Sequence, residues 1–333
     1  MISSSLDVVV TFGAFSIETS RFLQAVIEGI SLAGIYTLIA IGFVIIYKST
    51  QVLSFAQPAL LIMGAYLASY VSITLGFGFW VGIAVAILLS GFVGYLTERA
   101  VLRPMVGKPV FAVAILTIGL DIAIRVIVGD LIGVNIRAIG TSTSEGFGAP
   151  SLPWGSTPLR FGDLAGVGGV VIQPRVFAIV FTATVAVVAL VVFFNRTRWG
   201  LAMRGSSFDQ EVALAQGVNV GRVASLAWII GGSLAGVAGV LAATSFTGLS
   251  QSSYLIALKA LPVVVVGGLD SIGGAIVGAL IIGLAESFTS TYQARYVPWL
   301  GDNFSQVVPY LVMVIVLIFR PYGIFGTKEV ERI

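Results

Sequence analysis

The apolar stretch from Val110 to Gly133 carries Asp121, Arg125 and Asp130, and the first two are opposite charges four residues apart. On a helix this spacing places the carboxylate and the guanidinium on one face, where they can form an ion pair. Ionisable residues inside such a stretch usually pair with one another and mark candidate functional residues. The sequence has no histidine and no cysteine, which excludes disulfides, Cys/His zinc sites and the usual Ser–His and Cys–His nucleophile pairs. We therefore expect no catalytic residue, no metal site and no enzymatic activity.

A proline interrupts an apolar run at two places in the sequence, Ala56–Gly64 and Ala260–Gly267. Proline removes a backbone donor and leaves a carbonyl without a partner, which a membrane tolerates only where protein or a wet cavity covers it. Two such segments in corresponding halves of a chain indicate either a translocation pathway or two proline kinks packed by neighbouring helices. The candidate pathway residues are Gln57, Pro58, Tyr66, Pro262 and Gly267.

The stretch from Asn195 to Arg222 carries the signature of a short capped helix. Ser206 and Asp209 fit the S-x-x-D pattern of a capping box, and Gly217 stands where a helix commonly ends. We predict a helix over 206–217, which is too short to be stable alone and needs a surface to pack against. That surface is either the membrane or another polypeptide.

The elements that position these residues must cross a membrane. Hydrophobic residues make up 57% of the 333 residues and charged residues only 10%, against roughly 25% charged in soluble proteins. The forty glycines favour close helix packing in lipid. We predict an all-α transmembrane bundle of about eight or nine spans, each needing roughly 20 apolar residues. The predicted spans are Gly29–Tyr47, Val52–Ile73, Phe79–Leu96, Val110–Gly133, Val176–Asn195, Val223–Ala243, Leu255–Gly267, Ile272–Ala285 and Val307–Phe319.

The predicted bundle is a single domain, 1–333, built of two related halves with a broken or re-entrant helix in each. The first half is 1–134, and an external loop over 135–175 offers Trp154 as a contact. The second half is 176–320, and a tail follows over 321–333. Leu255–Gly267 and Ile272–Ala285 are each shorter than a crossing, so they form either a re-entrant hairpin or two thin passes.

Lysine and arginine in the loops set the predicted orientation, because cytoplasmic loops carry the excess. One side has eleven of them: Lys48, Arg99, Arg103, Lys108, Arg196, Arg198, Arg204, Arg222, Arg320, Lys328 and Arg332. The other side has five: Arg21, Arg137, Arg160, Arg175 and Arg295. The N-terminus is therefore predicted outside and the C-terminus in the cytoplasm. The net charge of +3 without a dense basic cluster indicates no nucleic-acid partner.

Three motifs, in order along the chain, carry a resemblance to a known family. Leu53–Tyr66 is similar to its "NFA-(H/Q)-G…GAY" signature, although Ser54, Pro58 and Ala59 depart from it. Val265–Ala275 and Gly283–Glu286 match "VxGGxGSxxGAxxG…GLxE", with Asp270 at a common glycine, and Arg320–Gly326 matches "RPxGLFG". On these motifs the chain resembles the LivH-type permeases, membrane subunits of bacterial ABC importers for branched-chain amino acids. This family also includes urea and short-amide permeases.

The resemblance implies a plasma-membrane permease that works with a second homologous permease, two cytoplasmic ATPases and an extracytoplasmic binding protein. The chain lacks the phosphate-binding pattern G-x-x-x-x-G-K-[ST], so we expect ATP and Mg²⁺ to be bound by the partner subunits and no cofactor here. The implied ATPase contacts lie in and beside the predicted helix: Arg204, Ser206, Phe208, Asp209, Ala213, Ala215 and Gly217.

Two other functions remain open from the residues alone. A secondary transporter needs an unpaired carboxylate at the midplane, for which Asp121 is the candidate, but Arg125 is a ready partner. A passive channel would have no function for the helix predicted over 206–217. The Asp121–Arg125 pair itself is either a strut between helices or a recognition pair for a zwitterionic amino acid.

Overall fold

The computed structural model describes residues 17–105, 108–133, 136–137, 139, 158–161, 170–208, 210–245, 248–250, 253–301 and 303–327. Trp154 and Asp209 lie outside these residues. The helices of the first half are α1 (Ile17–Thr50), α2 (Gln57–Ser69), α3 (Phe79–Leu96) and α4 (Val110–Ile132). Those of the second half are α5 (Pro174–Arg196), α6 (Arg198–Phe208), α7 (Gln210–Ala215), α8 (Val220–Ser245), α9 (Tyr254–Leu258), α10 (Ala260–Gly267), α11 (Ile272–Tyr296) and α12 (Val308–Phe319).

Six helical segments are long and apolar enough to cross a membrane, among the residues that the structure describes. They are Glu18–Thr50, Phe79–Met105, Phe111–Ile132, Pro174–Arg196, Val220–Ser245 and Ile272–Tyr296. Two shorter apolar helical segments are Tyr254–Gly267 and Val308–Phe319. Helix α2 continues through one π-helical turn, Tyr70–Thr74. The prediction of a polytopic helical bundle is confirmed.

Helix α1 forms the centre of the bundle. Every residue from Ile35 to Ile46 is buried, because α5, α8, α10 and α11 pack around the helix. A helix that is apolar on all sides is stable where it is covered on all sides. The faces of α4, α5 and α12 that point away from this centre expose large apolar side chains, as expected of surfaces that meet lipid or a second membrane protein.

Glycines bring α2, α3 and α8 into close contact. A Cβ atom at Gly64 would overlap the Cα of Gly236, and one at Gly239 would overlap the carbonyl oxygen of Leu61. Gly94 lies equally close to the carbonyl oxygen of Trp228. These approaches confirm the packing role expected of the glycines, since small residues let helix backbones touch in lipid.

The segment that follows α12 closes the end of α10. The backbone N–H groups of Ile324 and Phe325 donate to the carbonyl oxygens of Val266 (2.8 Å) and Gly267 (3.0 Å). Gly323 adopts a left-handed φ of 78°, and a Cβ there would meet the backbone of Val265. The last carbonyls of a helix need such partners where water is scarce. Residues 321–327, which belong to the predicted cytoplasmic tail, are thus packed against the second broken helix.

Residues from distant segments of the chain meet at two ends of the bundle. At one end, which we call the basic end, a cavity of about 520 Å³ is lined by residues of five segments, including Ser49, Arg103, Lys108, Gln210 and Gly221. At the other end Arg175 pairs with Glu28 at 3.7 Å and Arg295 with Glu18 at 3.3 Å.

The structure differs from the prediction in three segments of the chain. Ile272–Ala285 is not a short piece, because α11 continues to Tyr296 and its Glu286 pairs inside the bundle rather than ending the helix. The helix predicted over 206–217 is two helices, α6 and α7. The predicted external loop contains two short strands, β1 (Leu159–Phe161) and β2 (Val170–Ile172), which pair antiparallel with Leu159 opposite Ile172.

Candidate functional site

The first broken helix begins deep inside the bundle, at Gln57. The backbone N–H of Phe55 donates to Thr117 Oγ1 of α4 (3.1 Å), and that of Ala56 to Ser54 Oγ (3.4 Å). Pro58 lies in the first turn of α2, where its missing N–H costs little because first-turn donors have no partner inside the helix. The proline therefore starts a helix in the interior and does not kink one.

Gln57 is fully buried where α1, α2 and α8 converge. A Cβ at Gly42 or at Gly231 would lie 3.3 or 3.1 Å from its Nε2 atom. Neither carboxamide atom has a hydrogen-bond partner among the described residues. A buried amide without hydrogen bonds lowers the stability of a protein. At Gln57 a bound polar molecule or another side-chain conformation would supply the missing hydrogen bonds.

The second broken helix is interrupted at Lys259, the residue between α9 and α10. Pro262 lies buried in α10, and Gly267 ends that helix against the backbone of Gly274 in α11. Tyr66, on α2, stacks with Tyr70 at 6.0 Å under the guanidinium of Arg137 at 5.2 Å. The five candidate pathway residues thus lie on α2 and α10, and none of them lines the two cavities at the basic end.

A buried charge cluster joins α1, the α9–α10 break and α11. Lys259 Nζ pairs with Glu286 Oε1, and the Tyr36 hydroxyl donates to Glu286 Oε2 at 2.6 Å. The Lys259 and Glu286 side chains are 12% and 9% exposed. Tyr36 and Glu286 are 250 positions apart, so only their shared placement in apolar stretches could have indicated the contact.

Asp121 and Arg125 form the predicted ion pair, with Arg125 Nη2 and Asp121 Oδ2 3.0 Å apart. The Arg125 guanidinium also lies 4.3 Å above the ring of Tyr254, at the start of α9. The pair thus bridges α4 to the second broken helix, an arrangement that suits a strut. Asp121 Oδ1 is buried and has no hydrogen-bond partner among the described residues.

Ser206 does not cap a helix. It is buried in the last turn of α6, where its hydroxyl donates to the Met203 carbonyl at 3.1 Å. The local S-x-x-D pattern is thus overridden by a helix that starts upstream, at Arg198. Arg204 Nη1 reaches Asn195 Oδ1 at 3.5 Å.

Gly217 ends α7 with a left-handed φ of 81°, as predicted, and the Val218 N–H donates to the Ala213 carbonyl at 2.9 Å. Ala213 is buried against the rest of the chain, whereas Phe208, Val212 and Ala215 face outward. The segment α6–α7 therefore exposes apolar side chains at the basic end.

A comparison with protein families identifies the family to which the chain belongs. Residues 25–317 match the family described as "Branched-chain amino acid transport system / permease component". The chain belongs to this family. The match runs from α1 into α12, so it includes both broken helices and the α6–α7 segment of the permease.

Individual relatives of the permease carry related descriptions. BraD of Pseudomonas aeruginosa, a "high-affinity branched-chain amino acid transport system permease protein", is 29% identical over 95% of this chain and 99% of its own length. LivH of Escherichia coli K12, described in the same words, is 29% identical over 94% and 98%. LivM of that strain, again so described, is 24% identical over 88% of this chain and 68% of its own length.

One solved structure also resembles the permease. A chain of PsaBC from Streptococcus pneumoniae in complex with Fab aligns over 91% of the permease and 93% of that chain, with 12% identity and a TM-score of 0.48. A likeness at this level supports no further argument.

Variants of Asp121 and Arg125 can distinguish a structural ion pair between helices from a pair that recognises the amino acid. We expect Asp121→Asn and Arg125→Gln each to lower the folded yield, because each leaves an uncompensated charge inside the bundle, at a cost of about 1–3 kcal/mol for a partly exposed pair. The charge swap Asp121→Arg/Arg125→Asp should recover part of the lost folded yield. Yield and thermal stability in detergent measure the effect, and normal yield with altered substrate selectivity would instead support recognition.

Proposed function

We propose that the permease is the membrane-spanning subunit of an ABC importer that moves branched-chain amino acids into the cell. The family match over residues 25–317 carries this proposal. It is supported by two relatives that align over almost their full length and whose names state this transport. The chain is a multi-pass protein of the inner membrane and acts as a transport subunit, not as an enzyme.

The proposed topology has nine passes, with the N-terminus outside. The passes are α1, α2 with its π-helical turn, α3, α4, α5, α8, α9–α10, α11 and α12. The basic end then faces the cytoplasm, because the sequence assigns eleven of the loop lysines and arginines to that side and five to the other. Helices α6 and α7 lie on the cytoplasmic side in this orientation.

The proposed assembly contains a second permease subunit, two ATPase subunits and an extracytoplasmic binding protein. LivH and LivM come from one strain and share one description, which favours a pair of different but homologous permeases. The partner ATPases bind ATP and Mg²⁺, and the binding protein selects the amino acid and delivers it at the outer end.

In the proposed mechanism the α6–α7 segment transmits force. ATP-driven closure of the ATPases moves this segment, and α5 and α8, which flank it in the chain, shift with it. Because α8 packs on α1, α2 and α3, the shift reaches the start of the first broken helix. The pathway then opens alternately to the outside and to the cytoplasm.

Val212 offers a direct test of coupling, since it faces outward on α7 with 56% of its side chain exposed. We expect Val212→Glu to leave membrane insertion unchanged but to reduce ATP-dependent uptake at least about tenfold, because a charge enters an apolar contact. Val212→Ala is the matched control, because it keeps the position apolar and introduces no charge. Undiminished uptake by Val212→Glu would contradict force transfer through α7.

Reconstitution tests the proposed substrate. We expect proteoliposomes with the permease, its partner permease, the ATPases and the binding protein to take up leucine, isoleucine and valine only when ATP is present on the ATPase side. Ligand affinity of the binding protein should rank these amino acids above urea. Uptake of urea but not leucine would assign the chain to the amide branch of the family, and uptake without ATP would overturn the importer itself.

A further inference from the structure

A cavity of about 540 Å³ opens at the basic end between the end of α6 and the segment after α12. One wall carries Phe208 of α6, and the opposite wall carries Tyr322 and Phe325. The inner end of α1, with Lys48, and the α10–α11 turn, with Asp270, complete the lining. We call this cavity the basic-end cleft.

The wall after α12 is held rigidly. Besides the two backbone hydrogen bonds from Ile324 and Phe325 to the end of α10, the Asp270 carboxylate accepts from the Thr327 N–H at 3.3 Å and from its hydroxyl. A Cβ at Gly268 would overlap the backbone of Gly326. The wall is therefore preorganised, which lowers the entropic cost of binding a partner.

The side chains at the mouth of the cleft are apolar and uncovered. Phe208 is 92% exposed, and Phe325 and Tyr322 are 52% and 46% exposed. In the proposed orientation they lie at the cytoplasmic end of the bundle. Three such side chains around one cavity are typical of a protein interface, whose buried centre is enriched in aromatic residues.

The charge around the cleft indicates the character of the partner surface. Lys48 lines the cleft and makes no ion pair with any described residue. The described segments of the basic end carry nine lysines and arginines against three acids, the latter being Glu98, Glu211 and Asp270. A partner with an apolar side chain next to an acidic one fits this surface.

We infer that the basic-end cleft receives an element of the ATPase subunit, so that the segment Arg320–Thr327 is a second ATPase contact opposite α6. This inference rests on the proposed function and extends it. The ATPase is the occupant that the observations favour, because the cleft is continuous with the outward face of α6–α7. Through the bonds from Ile324 and Phe325, force at the cleft acts directly on the second broken helix.

The absence of native cysteine permits a clean cross-linking test. Single variants Phe208→Cys, Phe325→Cys and Trp299→Cys are labelled with a thiol-directed photo-cross-linker before the separately purified ATPase is added. Trp299 is the control, because it is 81% exposed near the opposite end. We expect cross-links to the ATPase from positions 208 and 325 and none from 299.

The outcomes separate this inference from the proposed function. A cross-link from 208 but not from 325 overturns the second contact and leaves the importer intact, whereas cross-links from neither position overturn coupling at the basic end altogether. A cross-link from 325 alone overturns a cleft shared with α6. Capture of a second permease chain at 325, or capture at 299 as strong as at 325, also overturns the inference.

Measuring the affinity of the ATPase for permease variants gives the size of the contribution that each side chain makes. Phe325→Ala keeps the backbone bond to Gly267 but removes the ring, so we expect about tenfold weaker ATPase binding with unchanged permease yield. Lys48→Gln should weaken binding by about threefold to tenfold and reduce its salt dependence. Phe319→Ala is the matched control, an 80% exposed ring on the last turn of α12. Equal binding by Phe325→Ala and Phe319→Ala would overturn the inference.

Discussion

Replacing Lys259 by methionine should remove most of the folded permease. Glu286 would then keep its charge inside the bundle with only the Tyr36 hydroxyl to bond it. Breaking a buried ion pair on one side costs about 3–5 kcal/mol, a large part of the total stability of a typical protein. The result would appear as lost monodisperse protein in detergent and as a lower thermal unfolding midpoint. Glu286→Gln, which leaves the ammonium unpaired, should have a similar effect.

The double variant Lys259→Met/Glu286→Gln distinguishes the charge pair from packing. It removes both charges and retains similar side-chain volumes, so it should recover most of the lost stability. Lys108→Met serves as the control for lysine removal as such, since Lys108 is exposed at the basic end. A double variant no more stable than either single one would show that the ion pair is not what holds α9–α10 to α11.

Replacing Gly239 by alanine should separate α2 from α8. The new methyl group would overlap the Leu61 carbonyl oxygen, and a helix backbone has little freedom to move aside. Overpacking of this kind costs about 1–3 kcal/mol or more. The loss is measurable as reduced yield and stability in detergent, with the central pair Gly64 and Gly236 expected to behave in the same way.

Gly119→Ala provides the matched comparison, because Gly119 lies in α4 and a Cβ there meets no atom within 4 Å. Alanine in a helix interior is favoured over glycine by about 0.5–1 kcal/mol, so this variant should be as stable as the parent or slightly more stable. Equal behaviour of Gly239→Ala and Gly119→Ala would refute the close packing of α2 on α8.

The helical segments could be predicted from the sequence because their ends carry local signals. The start of α3 at Phe79 is predicted because a Gly-Phe-Gly turn precedes it, whereas the helical segment continues past the predicted end at Leu96 to Met105. The end of α11 was missed because Glu286 reads locally as the end of an apolar run. The contacts with Lys259 and Tyr36 explain how a charged side chain is accommodated within the helix, which continues to Tyr296.

The candidate site was predictable only in its parts. The spacing of Asp121 and Arg125 fixes their pairing, and Gly217 fixes the end of α7, since both depend on neighbours in the sequence. The cluster around Glu286 and the contact of residues 324–325 with α10 depend on tertiary packing, for which one sequence carries no spacing signal. The prediction that Ser206 caps a helix was wrong for the opposite reason. Helix α6 begins upstream, at Arg198, and includes Ser206 in its last turn.

The bonds from Ile324 and Phe325 to the end of α10 also set an order for biogenesis. The carbonyl groups of Val266 and Gly267 are translated before α11 and α12, whereas their permanent partners are translated after both helices. Until then the second broken helix must be held by water, lipid headgroups or the insertion machinery. A nonsense mutation just after α12 would therefore release a polypeptide with its spans inserted but its interior unfinished, a natural substrate for membrane proteases.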